Sequence, residues 1–394
     1  MLAADELVDA ARRETGLSDF GATGWREGYD RLIGALNTEA ALSEGGEQIM
    51  GLRLGMLLAN RLRITAVLAD HPEIDEVEIE GPLFIIGLPR TGTTALSNLV
   101  AADPRIRSLR LWESSDPVPP PDAATAATDP RIEAARGGLD AMYTAFPRMR
   151  SLHFQAADGP TECQDLLGME FRAAHFDGMA RVPGYVDWLV DSDMTSAYAF
   201  HRRVLQLLCW RCPPRLWHLK TPVHMLALDA LVASYPGARF LWTHRDPAAV
   251  LGSVCSLIAY TRSWVSDRAD PYELGLQQLD LWAEAVRRAM DFRGRVGESA
   301  FADVSFDALQ SDPVGALSSA YDRLGMPFGR DRGAVDAWAR AHPPGSRGTH
   351  EFALGEFGLD AARVRGRFAD YLGRFSGPVG PLGDAGGSDG DRSD

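Results

Sequence analysis

The stretch GPLFIIGLPRTGTTALSNLVAADP, residues 81–104, decides the fold. A short, fully apolar run meets a turn rich in Gly, Pro and Thr, and the turn opens directly onto a helical pattern. That is a strand, a loop and a helix. The loop reads Gly87-Leu88-Pro89-Arg90-Thr91-Gly92-Thr93-Thr94. In such a place backbone amides and the positive end of the helix can cradle a phosphate. The spacing is GxxxxG followed by Thr-Thr, where a nucleoside triphosphatase loop carries Lys and then Ser or Thr. The lysine that would reach terminal phosphates is missing, and Arg90 supplies positive charge from inside the loop. A ligand-free Gly-rich turn has the same composition; the strand-loop-helix context favours the anion site.

Outward from this stretch, strands and helices alternate. The strand RLWHLK precedes Thr221-Pro222, the helix HMLALDALVASY, the strand ARFLWTHRD and the helix AAVLGSVCSLIAYT. A further strand candidate, AFADVSF (300–306), runs into the helix DPVGALSSAYDRLG. Elements of these lengths in this order imply an α/β fold, with parallel pairing through right-handed crossovers. Residues 4–70 carry helix-period apolar positions and predict about three helices. The Pro- and Ala-rich stretch 116–130 is a surface loop by its turn chemistry, and helices dominate from there to about residue 212, including YVDWLVDSDMTSAYAFHRRVLQLLCW. The Gly/Asp-rich end of the chain predicts disorder.

Acidic residues outnumber basic ones, 54 against 40, for a net charge of −14. A generic nucleic-acid binder needs a basic surface, so a polynucleotide partner is excluded; a small anion gripped by local cations is not. No stretch approaches the roughly 20 apolar residues that span a bilayer, and the acidic, amphipathic start differs from a secretory leader. The expectation is a cytoplasmic protein without a membrane span. Four cysteines are too few to staple the chain, and the lone Cys209-x-x-Cys212 pair reads as buried thiols on an apolar helical face.

Lys220 is the one lysine among 40 basic residues. A chain that uses arginine elsewhere and keeps lysine at a strand end points to a site that wants a compact ammonium. Such an isolated lysine can also be chance; its place at the carboxyl end of a parallel strand, where open α/β sheets bind ligands, favours function. His244-Arg245-Asp246-Pro247 follows the next strand, with Ser253 eight residues after the arginine. The two can converge on a second anionic group, or form a plain surface turn.

Together, Pro89-Arg90-Thr91-Gly92-Thr93-Thr94, Lys220-Thr221-Pro222 and Arg245 with Ser253 resemble the sulfotransferases that use 3'-phosphoadenosine 5'-phosphosulfate (PAPS), in particular the bacterial branch and, more distantly, the tyrosylprotein sulfotransferases. The likeness extends over roughly residues 80–375. It implies a P-loop-like parallel sheet flanked by helices on both faces (81–377), with 103–212 as a helical acceptor-binding insertion; by their own patterns the residues before it read as an N-terminal helical extension (1–80) and those after it as a disordered tail (378–394). It implies that Pro89 to Thr94 bind the 5'-phosphosulfate, that Arg245 and Ser253 bind the 3'-phosphate, and that Arg347-Gly348 close over it. PAPS would be the co-substrate, no metal would be needed, and the acceptor would be a hydroxyl on a partly apolar small molecule, lipid or glycan. Lys220 and Arg90 would offset charge on the transferring group and the leaving oxygen.

The acceptor proton needs a base. The tyrosylprotein branch uses a Glu shortly after the loop's helix, and Glu113, 23 residues past Arg90, stands in the corresponding place. The cytosolic branch uses a His two residues past the Lys. Pro222 occupies that position, with His224 two residues further on. His218 and Glu162 are lesser candidates. A P-loop small-molecule kinase, or a silent nucleotide-binding protein, would share the loop and sheet; the kinase should carry a loop lysine and a metal-binding acid, which the sequence lacks.

Overall fold

In the computed structural model, Leu83, Phe84, Ile85 and Ile86 are buried without exception, because the strand they form lies between two apolar layers. Successive side chains of a strand point to opposite faces. Phe84 and Ile86 accordingly join one core, and Leu83 and Ile85 the other. The structure describes all residues except 23, 214–215, 269, 329–331, 344–352 and 381–394.

Among the described residues there are five strands, β1 (Leu83–Gly87), β2 (Ile106–Ser108), β3 (Leu216–Lys220), β4 (Arg239–His244) and β5 (Phe301–Ser305), in one sheet of order β2-β3-β1-β4-β5. Every pairing is parallel, with Ile85 opposite Lys220 and Gly87 opposite Thr243. β1 is central. The chain builds β2 and β3 on one side of it and then crosses to β4 and β5, so the direction of winding switches at β1 and leaves a crevice at the carboxyl ends of β1, β3 and β4.

Helices cover both faces. On one face lies α4 (Thr93–Ala101), through Leu96, Leu99 and Val100, together with the helix Pro313–Arg323. The other, larger layer contains the helices Thr195–Cys209, Pro247–Arg262 and Pro271–Val296. The N-terminal helices α1 (Ala4–Thr15), α2 (Gly24–Thr38) and α3 (Glu44–Asp70) belong to this same layer, with Leu32, Leu36, Leu54, Leu57 and Leu58 in its core.

Three sequence expectations need correction. β2 went unread, since three residues carry no periodicity. HMLALDALVASY is not one helix: a 3-10 turn at Pro222–Leu226 is followed by a helix only at Leu228–Ser234, the break falling at Ala227 (φ −146°). YVDWLVDSDMTSAYAFHRRVLQLLCW splits into Pro183–Asp191 and Thr195–Cys209. Asp193 breaks it by accepting hydrogen bonds from the backbone N–H and hydroxyl of Thr195, a local bond that competes with helix continuation. At the chain end, residues 376–379 form a short helix; the remainder of the expected tail lies outside the described residues. Among the described residues no helix is long and apolar enough to cross a membrane. Cys163, Cys209 and Cys255 are buried free thiols, and the Cys209 sulfur accepts the Trp217 indole N–H at 2.8 Å.

Candidate functional site

The loop after β1 is held tightly to β4. Gly87 has φ +137°, and a Cβ there would lie 2.4 Å from the Thr243 hydroxyl and 2.6 Å from its carbonyl oxygen, so only glycine lets the two strand ends approach. The Thr91 hydroxyl, fully buried, bonds the Leu88 carbonyl and the Thr243 hydroxyl at 2.6 Å each. Gly92 (φ +91°) turns the chain into α4, whose first-turn N–H groups face the crevice with no acceptors inside the helix.

Arg90 lies in the left-handed region (φ +66°), a conformation that costs a non-glycine residue about 1–2 kcal/mol. This turns its side chain across the loop. Nε donates to the Ser253 hydroxyl at 3.1 Å and Nη1 to the Leu152 carbonyl at 2.9 Å. Arg245 follows from the end of β4, donates through Nη1 to the Arg90 carbonyl at 3.0 Å, and lies 4.0 Å over the Phe306 ring. Among the described residues neither guanidinium has an ion-pair partner within 4 Å. Burial lowers the pKa of Arg90; burial and then the repulsion of Arg90 lower that of Arg245, with Asp307 and Asp246 opposing. Asp246 is itself engaged by Arg365 at 2.6 Å. Two adjacent half-buried cations without an ion-pair partner leave local positive charge that an anion could offset. The Ser253 hydroxyl, expected beside Arg245, accepts from Arg90.

Lys220 ends β3 with its side chain 3% exposed. Its ammonium donates to Glu162 at 2.7 Å and lies 3.4 Å from the Thr94 hydroxyl at the head of α4. Glu162 reaches it because the segment before it crosses the strand ends: Thr161 N bonds the Leu109 carbonyl, and Cys163 N bonds the Lys220 carbonyl at 3.0 Å. The other Glu162 oxygen accepts from the Thr221 hydroxyl at 3.0 Å and the Gln164 amide at 3.2 Å. Burial would raise this carboxyl, but the charge of Lys220, then that of His153, and the hydrogen bonds outweigh it and hold the pKa at about 2. His153 completes the cluster. It is half-buried, and its ring has no hydrogen-bond partner among the described residues. Burial lowers its pKa to about 4, with Glu162 pulling it up and Lys220 and Arg90 pushing it down.

Other candidates are elsewhere. Glu113 is 1% exposed, paired with Arg107, and its second oxygen accepts the Arg110 backbone N–H at 3.2 Å, so it serves as the cap of its own short helix, Leu111–Ser115. His224 is buried against Tyr198, which meets its Nδ1 at 2.8 Å, and burial drives its pKa far down. His218 is buried, bonded to Ser108 at 2.8 Å, and lowered to about 3 by burial and Lys220. Arg347 and Gly348 lie outside the described residues. His153 was missed because SLHFQ carries no motif; Glu162 had only its place in Gly-Pro-Thr-Glu to mark it. Among the described residues no three His, Cys, Asp or Glu side chains are grouped as a metal ion would require.

The fold and this crevice define a P-loop-like α/β protein with basic side chains gathered at the ends of three parallel strands. A family model described as "Sulfotransferase family" matches residues 82–330, and the chain belongs to that family. Two solved structures share the fold over nearly the whole chain. Sulfotransferase STF9 from Mycobacterium avium is 32% identical, with a TM-score of 0.89 over 95% of this chain and 97% of that one. Sulfotransferase STF1 from Mycobacterium tuberculosis H37Rv is also 32% identical, with a TM-score of 0.84 over 94% and 99%. A curated relative, the omega-hydroxy-beta-dihydromenaquinone-9 sulfotransferase Stf3 of Mycobacterium bovis, is 24% identical over 262 residues. The match spans 64% of this chain and 64% of that relative's length.

Proposed function

We propose that the protein transfers the sulfuryl group of PAPS to a hydroxyl of a partly apolar small molecule, lipid or glycan, acting in the cytoplasm. The observation that carries this reading is the convergence of Arg90, Lys220 and Arg245, from three distant stretches of chain, on the carboxyl ends of β1, β3 and β4. A donor with a phosphosulfate at one end and a ribose phosphate near the other needs two anion sites. The loop amides, Arg90 and Thr94 take the 5' end, and Arg245 with Ser253 takes the 3'-phosphate. Arg347 and Gly348 are further candidate ligands of that phosphate.

Sulfuryl transfer resembles phosphoryl transfer in leaving little covalent work to the protein, so positioning and electrostatics dominate. Lys220, fixed by Glu162, is preorganised to offset charge growing on the leaving phosphate oxygen. The acceptor's apolar character is supported by an aromatic cluster beside Leu152, whose carbonyl holds Arg90. There the helix Pro130–Ala145, within the proposed acceptor segment 103–212, contributes Tyr143. Phe146, just after it, stacks on Trp264 with centroids 3.9 Å apart. The menaquinone derivative in the name of the Mycobacterium bovis relative is an apolar hydroxyl compound of this kind. Four free cysteines fit a reducing compartment.

Thermal-shift titration tests the donor. Adenosine 3',5'-bisphosphate without magnesium should stabilise the protein, by about 2.7 kcal/mol at a hundredfold excess over Kd. A preference for ATP with magnesium would instead favour a kinase. Transfer of labelled sulfate from PAPS to 2-naphthol or dodecan-1-ol tests the acceptor class.

A further inference from the structure

We propose that His153 is the general base of the transfer, removing the proton of the acceptor hydroxyl with Glu162 facing it across the Lys220 ion pair. This rests on the PAPS reading above.

Its position follows from two anchors. His153 directly succeeds Leu152, whose carbonyl receives Arg90, and two residues on the Gln155 amide donates to the Thr161 hydroxyl at 3.3 Å, next to Glu162. Residue 153 is therefore strung between the phosphosulfate loop and the Lys220–Glu162 pair. The charges that act on its imidazole are those of Glu162, Lys220 and Arg90. It is half-buried, hence reachable, and its ring nitrogens bond nothing among the described residues.

The alternatives are occupied. Glu162 is held by three donors and is too weak a base. His224, His218 and Glu113 are sealed in the core with partners of their own. His153 is neutral in the free protein, as a base must be. An anionic donor beside Arg90 and Lys220 cancels part of their field, so the imidazole becomes more basic when the substrate is present.

In the step itself, the acceptor O–H bond breaks and its proton passes to a ring nitrogen of His153. The acceptor oxygen forms a bond to sulfur while the bond from sulfur to the bridging oxygen breaks, leaving that electron pair on the 5'-phosphate. The products are the sulfate ester, adenosine 3',5'-bisphosphate and an imidazolium opposite Glu162, which then releases its proton to solvent.

The test uses His153→Gln and His153→Ala in the full chain, with PAPS consumption followed with 2-naphthol as acceptor and separately with water. Loss of a general base costs about 10²–10⁴-fold. We expect kcat to fall at least about 100-fold in His153→Gln, with bisphosphate affinity within about threefold, loss of the acid limb of the pH–rate profile, and at least about tenfold rescue of His153→Ala by added imidazole. A His153→Gln enzyme within about threefold of wild type, or one that keeps the acid limb, overturns the proposal. Wild type failing both to bind the bisphosphate and to consume PAPS would overturn the PAPS reading as well. Wild type doing both, beside an unaffected His153→Gln, removes only the histidine.

Discussion

Glu162→Gln isolates the ion pair that holds Lys220. In the free protein Glu162 is the counter-charge of an ammonium whose side chain is 3% exposed, and Gln keeps the shape while removing the charge. Its carboxyl is held at about 2 against an ordinary 4.5, which at 1.36 kcal/mol per pH unit is at most about 3 kcal/mol of stability at neutral pH, where His153 is neutral and its share of the shift is absent. That matches the low end of the roughly 3–5 kcal/mol lost when a buried pair is broken on one side. In a chain of this size it lowers Tm by about 3–6 °C. Because the folded-state pKa is depressed, the contribution is complete above about pH 4.5 and disappears as pH falls toward 2. The gap between wild type and variant should close over the same interval. Adenosine 3',5'-bisphosphate supplies Lys220 with a new anionic partner, so it should stabilise the variant more than wild type, while kcat falls because the ammonium is no longer aimed. Thermal unfolding with and without the bisphosphate, from pH 7.5 down to 3, measures all of this. Equal apo stability, together with an equal ligand shift, would refute the argument that Glu162 anchors Lys220.

Arg245→Ala should weaken bisphosphate binding about 10- to 100-fold, the value of one or two charge-assisted hydrogen bonds, with kcat at saturating PAPS little changed; isothermal titration and saturation kinetics separate the two. Gly87→Ala forces a Cβ into Thr243 at a positive φ and should cost about 3–5 kcal/mol, read as a lower Tm or loss of folded protein. Glu113→Gln breaks the buried contact with Arg107, which retains the Leu208 carbonyl; stability should drop by about 2–3 kcal/mol while kcat of the folded fraction stays within about threefold.

Much of this site was legible because its signals are local. The apolar run of β1, the Gly-bounded loop and the opening of α4 are adjacent in sequence, and each follows from short-range propensity and turn chemistry. Lys220 stood out by rarity, and Arg245 by a strand end meeting a helix start. Glu113 shows the limit of such signals: its spacing from the loop is local, but its partner Arg107 holds it in the core. Cys209 was correctly read as a core thiol from its helical face, whereas Cys212, read the same way, is only half-buried.

What only the tertiary structure decided are the meetings between segments far apart in the chain. The left-handed backbone of Arg90 aims its guanidinium at Ser253, 163 residues later, and Lys220 lies 58 residues from the carboxylate that holds it. The three-residue strand β2 exists only because β3 offers it a ladder. His153 acquires its setting from Arg90, Glu162 and Lys220, none of which is its neighbour in the chain. Periodicity and composition report each residue's own preference for water or backbone shape; they carry no term for which distant charges a closed fold will bring within a few ångströms.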